Sequence, residues 1–283
     1  GDTDQLPSIG AGNVLRDIIS SDVIPVIKLE RIFRQAQGSR IVMNAHRINR
    51  GEFPDISNRK DSSGQLSDFF FISDDEPEHA LAQIVPLCQK RLPAAYHLNP
   101  INDIQVLTPM QRGVIGAMSL NKELQNALNP GTTMLYHGGT EYRLHDKVMQ
   151  LKNNYDKGVF NGDIGIIREI NTFAEELTVE FDEGKMVDYS FKQLEELELA
   201  YAITIHKSQG SEYPAVVIPL LPGPELLMNR NLIYTAITRA KKIVVLLGDK
   251  NVFYQMIDNT KQQTRYSGLK DEIIRRNYHS VKM

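Results

Sequence analysis

The chain has 283 residues and a formal net charge of −3, with 41% hydrophobic and 24% charged residues. That length suggests about two domains, and the weak negative balance excludes an extended basic coat for indiscriminate nucleic-acid binding. No apolar run is long enough to span a bilayer, and a single cysteine, Cys88, with no signal peptide at the start, fits a reducing cytoplasm.

From the amino terminus, residues 1–12 (GDTDQLPSIGAG) read as the end of a strand and a loop, opening without a methionine as if taken from within something larger. An amphipathic stretch follows at 13–20. Residues 23–29 predict a strand, and 37–49 a helix with Ile41, Ala45 and Ile48 on one stripe. Residues 51–71 are rich in Asp, Ser, Asn, Gly and Lys and predict mostly loop, with a short strand at 69–72. A helix is expected over 76–91, where Cys88 falls in an apolar pattern that makes it a core residue. Residues 102–107 predict a strand, and 113–128 a helix closed by Asn129, Pro130 and Gly131. The loop between them, 108–113, lies where a βα unit presents ligands.

At 142–190 helical periodicity gives way to short strand-like runs at 146–151, 164–170, 177–181 and 186–190, separated by turn signals. The richest stretch is 199–248. It holds two apolar β-branched runs, 215–220 and 243–247, suited to strands buried on both faces of a parallel sheet. A helix predicted over 226–240 joins them as a βαβ unit. Between 204 and 212 the chain concentrates Thr204, His206, Lys207, Ser208, Gln209, Gly210, Ser211 and Glu212, chemistry suited to phosphates and ribose, with a glycine that lets the backbone approach a ligand. Arg239 closes the following helix, where a guanidinium can reach a bound charged group. One more helix is expected at 252–258, then a partly ordered polar tail from 260 whose Arg275 and Arg276 form a solvated face.

The 204–212 segment resembles motif V of the superfamily 1 helicases, and YTAITRAK (234–241) resembles their motif VI. The resemblance implies that Arg239 is an arginine finger on the γ-phosphate of ATP and that Gly210 and Glu212 belong to the nucleotide site, Glu212 on the ribose. The opening segment resembles motif III, which assigns a γ-phosphate contact to Gln5. The step into IFRQA resembles motif IV, which gives Arg34 a similar role. Family members use a TPMQRG-like segment near single-stranded DNA, making Thr108 and Gln111 candidate contacts, with Thr204, His206 and Ser208 from motif V. The 142–198 stretch resembles the small Src-homology-type barrel that RecD/TraA-type helicases carry at this point, and the RecD likeness implies 5′-to-3′ polarity.

The implied fold is α/β: a RecA-like parallel sheet flanked by helices, with an inserted small all-β barrel. Residues 1–22 would end a first lobe, 23–141 and 199–260 would form the second, 142–198 the insert and 261–283 the tail. No G-x-x-x-x-G-K-[ST] occurs in the sequence, and neither does the carboxylate pair that holds magnesium. ATP and Mg²⁺ are therefore expected to be held by the whole protein and not by this stretch alone, which is expected to be inactive. The implied partners are single-stranded DNA, the missing N-terminal lobe, and nuclease or helicase subunits, with no membrane. The scattered histidines give no metal site. The rival readings are an RNA-remodelling helicase of the same superfamily and a nucleic-acid-binding or docking module with vestigial ATPase motifs.

Overall fold

Apolar β-branched runs build the centre of the fold. The computed structural model describes residues 1–8, 10–29, 38–57, 67–261 and 265–280. In chain order it contains α1 (Val14–Ser20), α2 (Arg40–Asn49), β1 (Phe69–Ser73), α3 (Pro77–Pro86), a π-helical turn (Leu87–Arg91), α4 (Leu92–Tyr96), β2 (Ile104–Thr108) and α5 (Ala117–Leu128). A β-rich stretch follows: β3 (Met134–His137), β4 (Thr140–Arg143), β5 (Lys147–Gln150), β6 (Ile164–Asn171), β7 (Glu176–Phe181), β8 (Lys185–Ser190) and β9 (Leu197–Leu199). The chain ends with β10 (Ala202–Thr204), β11 (Tyr213–Leu220), α6 (Arg230–Ile237), β12 (Ala240–Gly248), α7 (Lys250–Asp258) and α8 (Leu269–Ser280).

Five strands form a parallel sheet in the order β1-β12-β11-β2-β10. Alternation along β11 and β12 divides the core between its two faces. Ala215, Val217, Ile243, Val245 and Leu247 join the core beneath α3 and α5, whereas Val216, Ile218, Leu220, Val244 and Leu246 join that beneath α2, α6 and α7. Both runs are wholly apolar because each face is covered by helices. At the end of β12 the backbone of Gly248 (φ +153°) passes so close to Leu220 that a Cβ would sit 2.0 Å from its carbonyl oxygen, so only glycine fits.

Capping fixes where the helices begin. Ser39 accepts from the Val42 N–H at 3.3 Å, and Asp68 accepts from the Ser39 hydroxyl and the Arg40 N–H, tying the start of α2 to the start of β1. Asn229 caps α6 through Leu232 N, and Asp249 caps α7 through Asn251 N. The helix expected over 76–91 is longer and interrupted: Pro86 lacks an N–H and the chain widens into the π turn before α4. Cys88 is 1% exposed and burial pushes its thiol up to about 12, as suits an inert core residue.

β5 to β9 form a separate antiparallel sheet, order β8-β7-β6-β5-β9, and β3 and β4 form a hairpin beside it. The buried carboxylate of Asp146 fastens this all-β unit to the parallel-sheet unit. It accepts from Gln125 Nε2 (2.6 Å) and Asn129 Nδ2 (2.8 Å) of and just after α5, from the Arg143 N–H (2.7 Å) and from the Tyr201 hydroxyl (2.8 Å). Burial raises its pKa while those four donors pull it back down.

Two expectations fail at the ends of the chain. Residues 23–29 form no strand; Ile27 and Leu29 are over 90% exposed and no neighbour pairs with their backbone among the described residues. The polar segment after 260 is no loose tail throughout. Leu269–Ser280 is helical, packs on α1, and its Arg275 and Arg276 ion-pair with Glu272 on the exposed face.

Replacing Asp146 by Ala takes this acceptor from the Arg143 N–H and the Tyr201 hydroxyl and leaves Gln125 and Asn129 only their bonds to the Glu141 and Leu144 carbonyls, and should lower unfolding stability by about 3 kcal/mol in urea titrations. A loss below about 1 kcal/mol would show that the network does not fasten the all-β unit.

Candidate functional site

The 204–212 segment connects two ends of the parallel sheet. Thr204 lies in register with Thr108, at the C-terminal ends of β10 and β2, whereas Tyr213 pairs with Ala240 at the N-terminal ends of β11 and β12. β2 lies between β10 and β11, so the chain must run back along the sheet within these few residues. It does so through a 3₁₀ turn, Ile205–Ser208, and a glycine at φ +87°. Gly210 is exposed and a Cβ there would meet nothing within 4 Å, so backbone conformation, not crowding, selects glycine.

At the N-terminal end of the sheet, Arg239 is only 7% exposed, and each nitrogen of its guanidinium donates a hydrogen bond. Nε donates to Thr235 O (3.3 Å), Nη1 to Ser211 O (3.1 Å) and Nη2 to Gln5 Oε1 (2.8 Å). Gln5 and Arg239, 234 positions apart in sequence, therefore meet beside Gly210 and Ser211. Glu212 is exposed, its carboxylate 3.5 Å from Lys241 Nζ and open to solvent. Arg34 lies outside the described residues.

The segment carrying Gln5 is seated by residues whose role the sequence reading missed. Thr235 is fully buried; its hydroxyl accepts from Leu6 N (2.8 Å) and donates to Asn231 O. Asn231 Nδ2 donates to Asp4 O at 2.7 Å, and Gln209 Nε2 donates to Leu6 O (2.9 Å) and Pro7 O (3.1 Å). A threonine at a core position of an otherwise apolar helix face was the available sign, since a buried hydroxyl needs a partner.

The candidates at the other end separate by orientation. Thr108 is buried, donates to Ile115 O (2.8 Å) and accepts from Met110 N, so it shapes its loop from within. Ser208 is likewise buried, its hydroxyl on Ile205 O at 2.7 Å. Both hydroxyls point into the protein. Gln111 and His206 are exposed and Thr204 half-buried, so these three can touch one. Shielding of the imidazole, aided by the Arg265 guanidinium, lowers the His206 pKa, favouring the neutral ring. Gln111 opens into a groove walled by α5 and the β3–β4 hairpin, with Met118, Lys122 and Tyr136 on its sides.

Comparison with known proteins bears on what this arrangement is. Residues 120–181 match the SH3 domain of ATP-dependent RecD-like DNA helicases, 199–247 the C-terminal domain of UvrD-like helicases, and 1–68 an AAA domain. The ATP-dependent RecD2 DNA helicase of Deinococcus radiodurans is 32% identical over 273 residues, covering 96% of this chain and 35% of that protein. The RecBCD enzyme subunit RecD of Mycobacterium tuberculosis is 28% identical over 284 residues, covering 95% of this chain and 47% of that protein. The chain carries the C-terminal region of a RecD-type superfamily 1 helicase. It spans about a third to a half of the length of these RecD relatives. The fold is shared with the Pif1 helicase from Bacteroides solved with ADP-AlF3 and ssDNA (TM-score 0.52, 18% identity, 99% of this chain and 66% of that one).

In this RecD-type region the all-β unit reaches the parallel sheet, at β2 and the start of β11, through a buried lysine. Lys147 is 3% exposed; its ammonium has only a long 3.5 Å bond to Ile104 O and lies 5.9 Å from the centre of the Tyr213 ring. Burial pulls its pKa down to about 8, against a smaller opposing pull from Asp103. Among the described residues no cluster of His, Cys, Asp and Glu could hold a metal ion.

The folded pKa of Lys147 lies below the unfolded value of about 10.4, so the unfolded chain binds the proton more tightly. Lys147 therefore contributes stability that rises with pH between about 8 and about 10, opposed above about 9 by Cys88, whose thiol ionises more readily in the unfolded chain. Lys147→Met should remove this rise and add roughly 1–3 kcal/mol at pH 7 in urea titrations. A variant less stable than the parent at pH 7 would contradict it.

Proposed function

We propose that this region supplies the second motor lobe of an ATP-dependent DNA helicase that translocates 5′ to 3′. Residues 1–22 end the first lobe, 23–141 and 199–260 build the second, 142–198 form the insert, and 261–283 follow it. The observation that carries the reading is the direct contact between Gln5 and Arg239 beside the Gly210 turn. Two polar groups from opposite ends of the chain meet where a γ-phosphate would need a hydrogen-bond donor and a fixed positive charge.

Each residue then has a definable task. Arg239 is the arginine finger, Gln5 senses the γ-phosphate, and Arg34 adds a second cation. Gly210 presents bare backbone and Glu212 an exposed carboxylate suited to a ribose hydroxyl. The residues present fit the γ-phosphate and ribose side of a nucleotide: an oriented guanidinium, an amide and an open glycine turn. ATP with Mg²⁺, held by a phosphate loop that this sequence lacks, supplies the hydrolysable bond and the metal's charge neutralisation. Thr204, His206 and Gln111 face the single strand at the other end of the sheet, with Thr108 and Ser208 shaping their loops. The RecD relatives include a RecBCD subunit, which supports nuclease or helicase subunits as partners of the whole protein.

An arginine finger contributes about 10³–10⁵ in rate, or roughly 4–7 kcal/mol. In a polypeptide extended to include a phosphate loop, Arg239→Ala should lower ATP hydrolysis by that order while ATP and single-stranded DNA still bind. A fall of less than about tenfold would remove Arg239 from the role. The 283-residue chain alone should show no DNA-stimulated ATP hydrolysis; measurable turnover would contradict the division of the site between two lobes.

A further inference from the structure

The motif V loop is attached to several other segments, Glu212 to Lys241 among them. Gln209 holds the segment after Gln5, the Ser211 carbonyl holds Arg239, and Lys207 reaches in the opposite direction. Lys207 Nζ forms an ion pair with Glu198 Oε1 of β9, the last strand of the all-β unit. Glu198 stands opposite Met149 of β5, and β5 begins beside Asp146.

The attachments of the all-β unit to the motor sheet differ in burial. Most are buried: the Asp146 network, the Lys147 ammonium on the Ile104 carbonyl, Gln105 Nε2 on the Ala200 and Tyr201 carbonyls and the paired bonds between Asn121 and Ala202. These fix residues 200–202 to β2 and α5. The Lys207–Glu198 pair is half-buried, at 34% and 24% side-chain exposure, and made to a loop that also touches the Arg239 site. A half-buried ion pair adds little net stability because solvation competes with it. It is directional, however, and ties the loop directly to β9, nine residues back along the same chain, across the anchored residues 200–202.

We propose that Lys207 and Glu198 form the link by which motif V acts on the all-β unit. Lys207 is a positioning residue: a shift of the 204–212 loop at the Arg239 end is passed through its ammonium to β9 and β5, loosening or tightening these strands while the Asp146 network keeps the unit fastened. This inference rests on the motor reading for its consequence and on the Lys207–Glu198 ion pair for the link.

The test has two arms. In the 283-residue chain, amide hydrogen exchange of β9 and β5 should quicken about two- to fivefold in Glu198→Gln and in Lys207→Gln, the factor an ion pair of this exposure carries. Lys207→Arg, and the reversed pair Glu198→Lys with Lys207→Glu, should restore it. Lys152→Gln, which breaks the exposed pair with Glu195 in the same unit, should leave these strands unchanged. In the extended polypeptide, Glu198→Gln should raise the ATP consumed per nucleotide advanced about twofold or more at unchanged maximal hydrolysis, again reversed by the swapped pair. Unchanged exchange in both single variants overturns the link. Faster exchange with an unaltered ATP-to-step ratio makes the pair merely structural and overturns its role. A parent protein without strand-stimulated hydrolysis would instead defeat the motor reading, while the exchange arm still decides the link.

Discussion

A guanidinium cannot be withdrawn from water unless acceptors replace the solvent it loses, and Arg239 is almost wholly withdrawn. Its acceptors come from three places: Thr235 one turn back on α6, Ser211 before β11, and Gln5 from the start of the chain. Satisfying that one side chain therefore holds the end of α6, the entry to the central strand and the amino-terminal segment in a fixed relation. Thr235 and Asn231 reinforce it by seating Leu6 and Asp4 on the same helix. The arrangement is charged and directional, which is why it can respond to an anion. A competing phosphate offers the guanidinium stronger acceptors than an amide oxygen does.

The parallel sheet then acts as a rigid spacer between two kinds of chemistry. Its N-terminal strand ends carry Arg239 and Ser211, and its C-terminal ends carry Thr204 and the loop of Gln111. The 204–212 segment is in contact with both. Because the β11 and β12 core is close-packed on both faces, movement at one end is taken up by the loops that border it and not by the sheet. The antiparallel unit sits on the same border, fastened by Asp146 and touched by Lys207.

Much of this was legible before any coordinates. The runs at 215–220 and 243–247 are too apolar and β-branched to be anything but doubly covered strands, and they are the centre of the sheet. The polar 204–212 segment and Arg239 stood out by composition, and they converge. What stayed hidden were facts about direction and distance. A hydroxyl's heading cannot be read from its identity, so Thr108 and Ser208 looked like ligand contacts although both point inward. Asp146 and Lys147 sat at the start of an ordinary strand pattern, and their burial follows from α5 and Tyr201, which lie far off in sequence. Residues 23–29 have strand composition but join no sheet among the described residues, and propensity alone does not make a ladder. The opposite error occurred after 260, where Glu272 pairing with Arg275 and Arg276 supports a helix in a segment whose polarity suggested a tail.

The central claim is that Arg239 rests on Gln5 and turns from it to a γ-phosphate. The most direct measurement is the structure of an extended polypeptide, including a phosphate loop, with a nucleotide bearing a γ-phosphate mimic. The account predicts the guanidinium of Arg239 within hydrogen-bond distance of the mimic, its 2.8 Å bond to the Gln5 amide oxygen broken or rearranged. An Arg239 that keeps its Gln5 and Ser211 partners, with the mimic out of its reach, would contradict it.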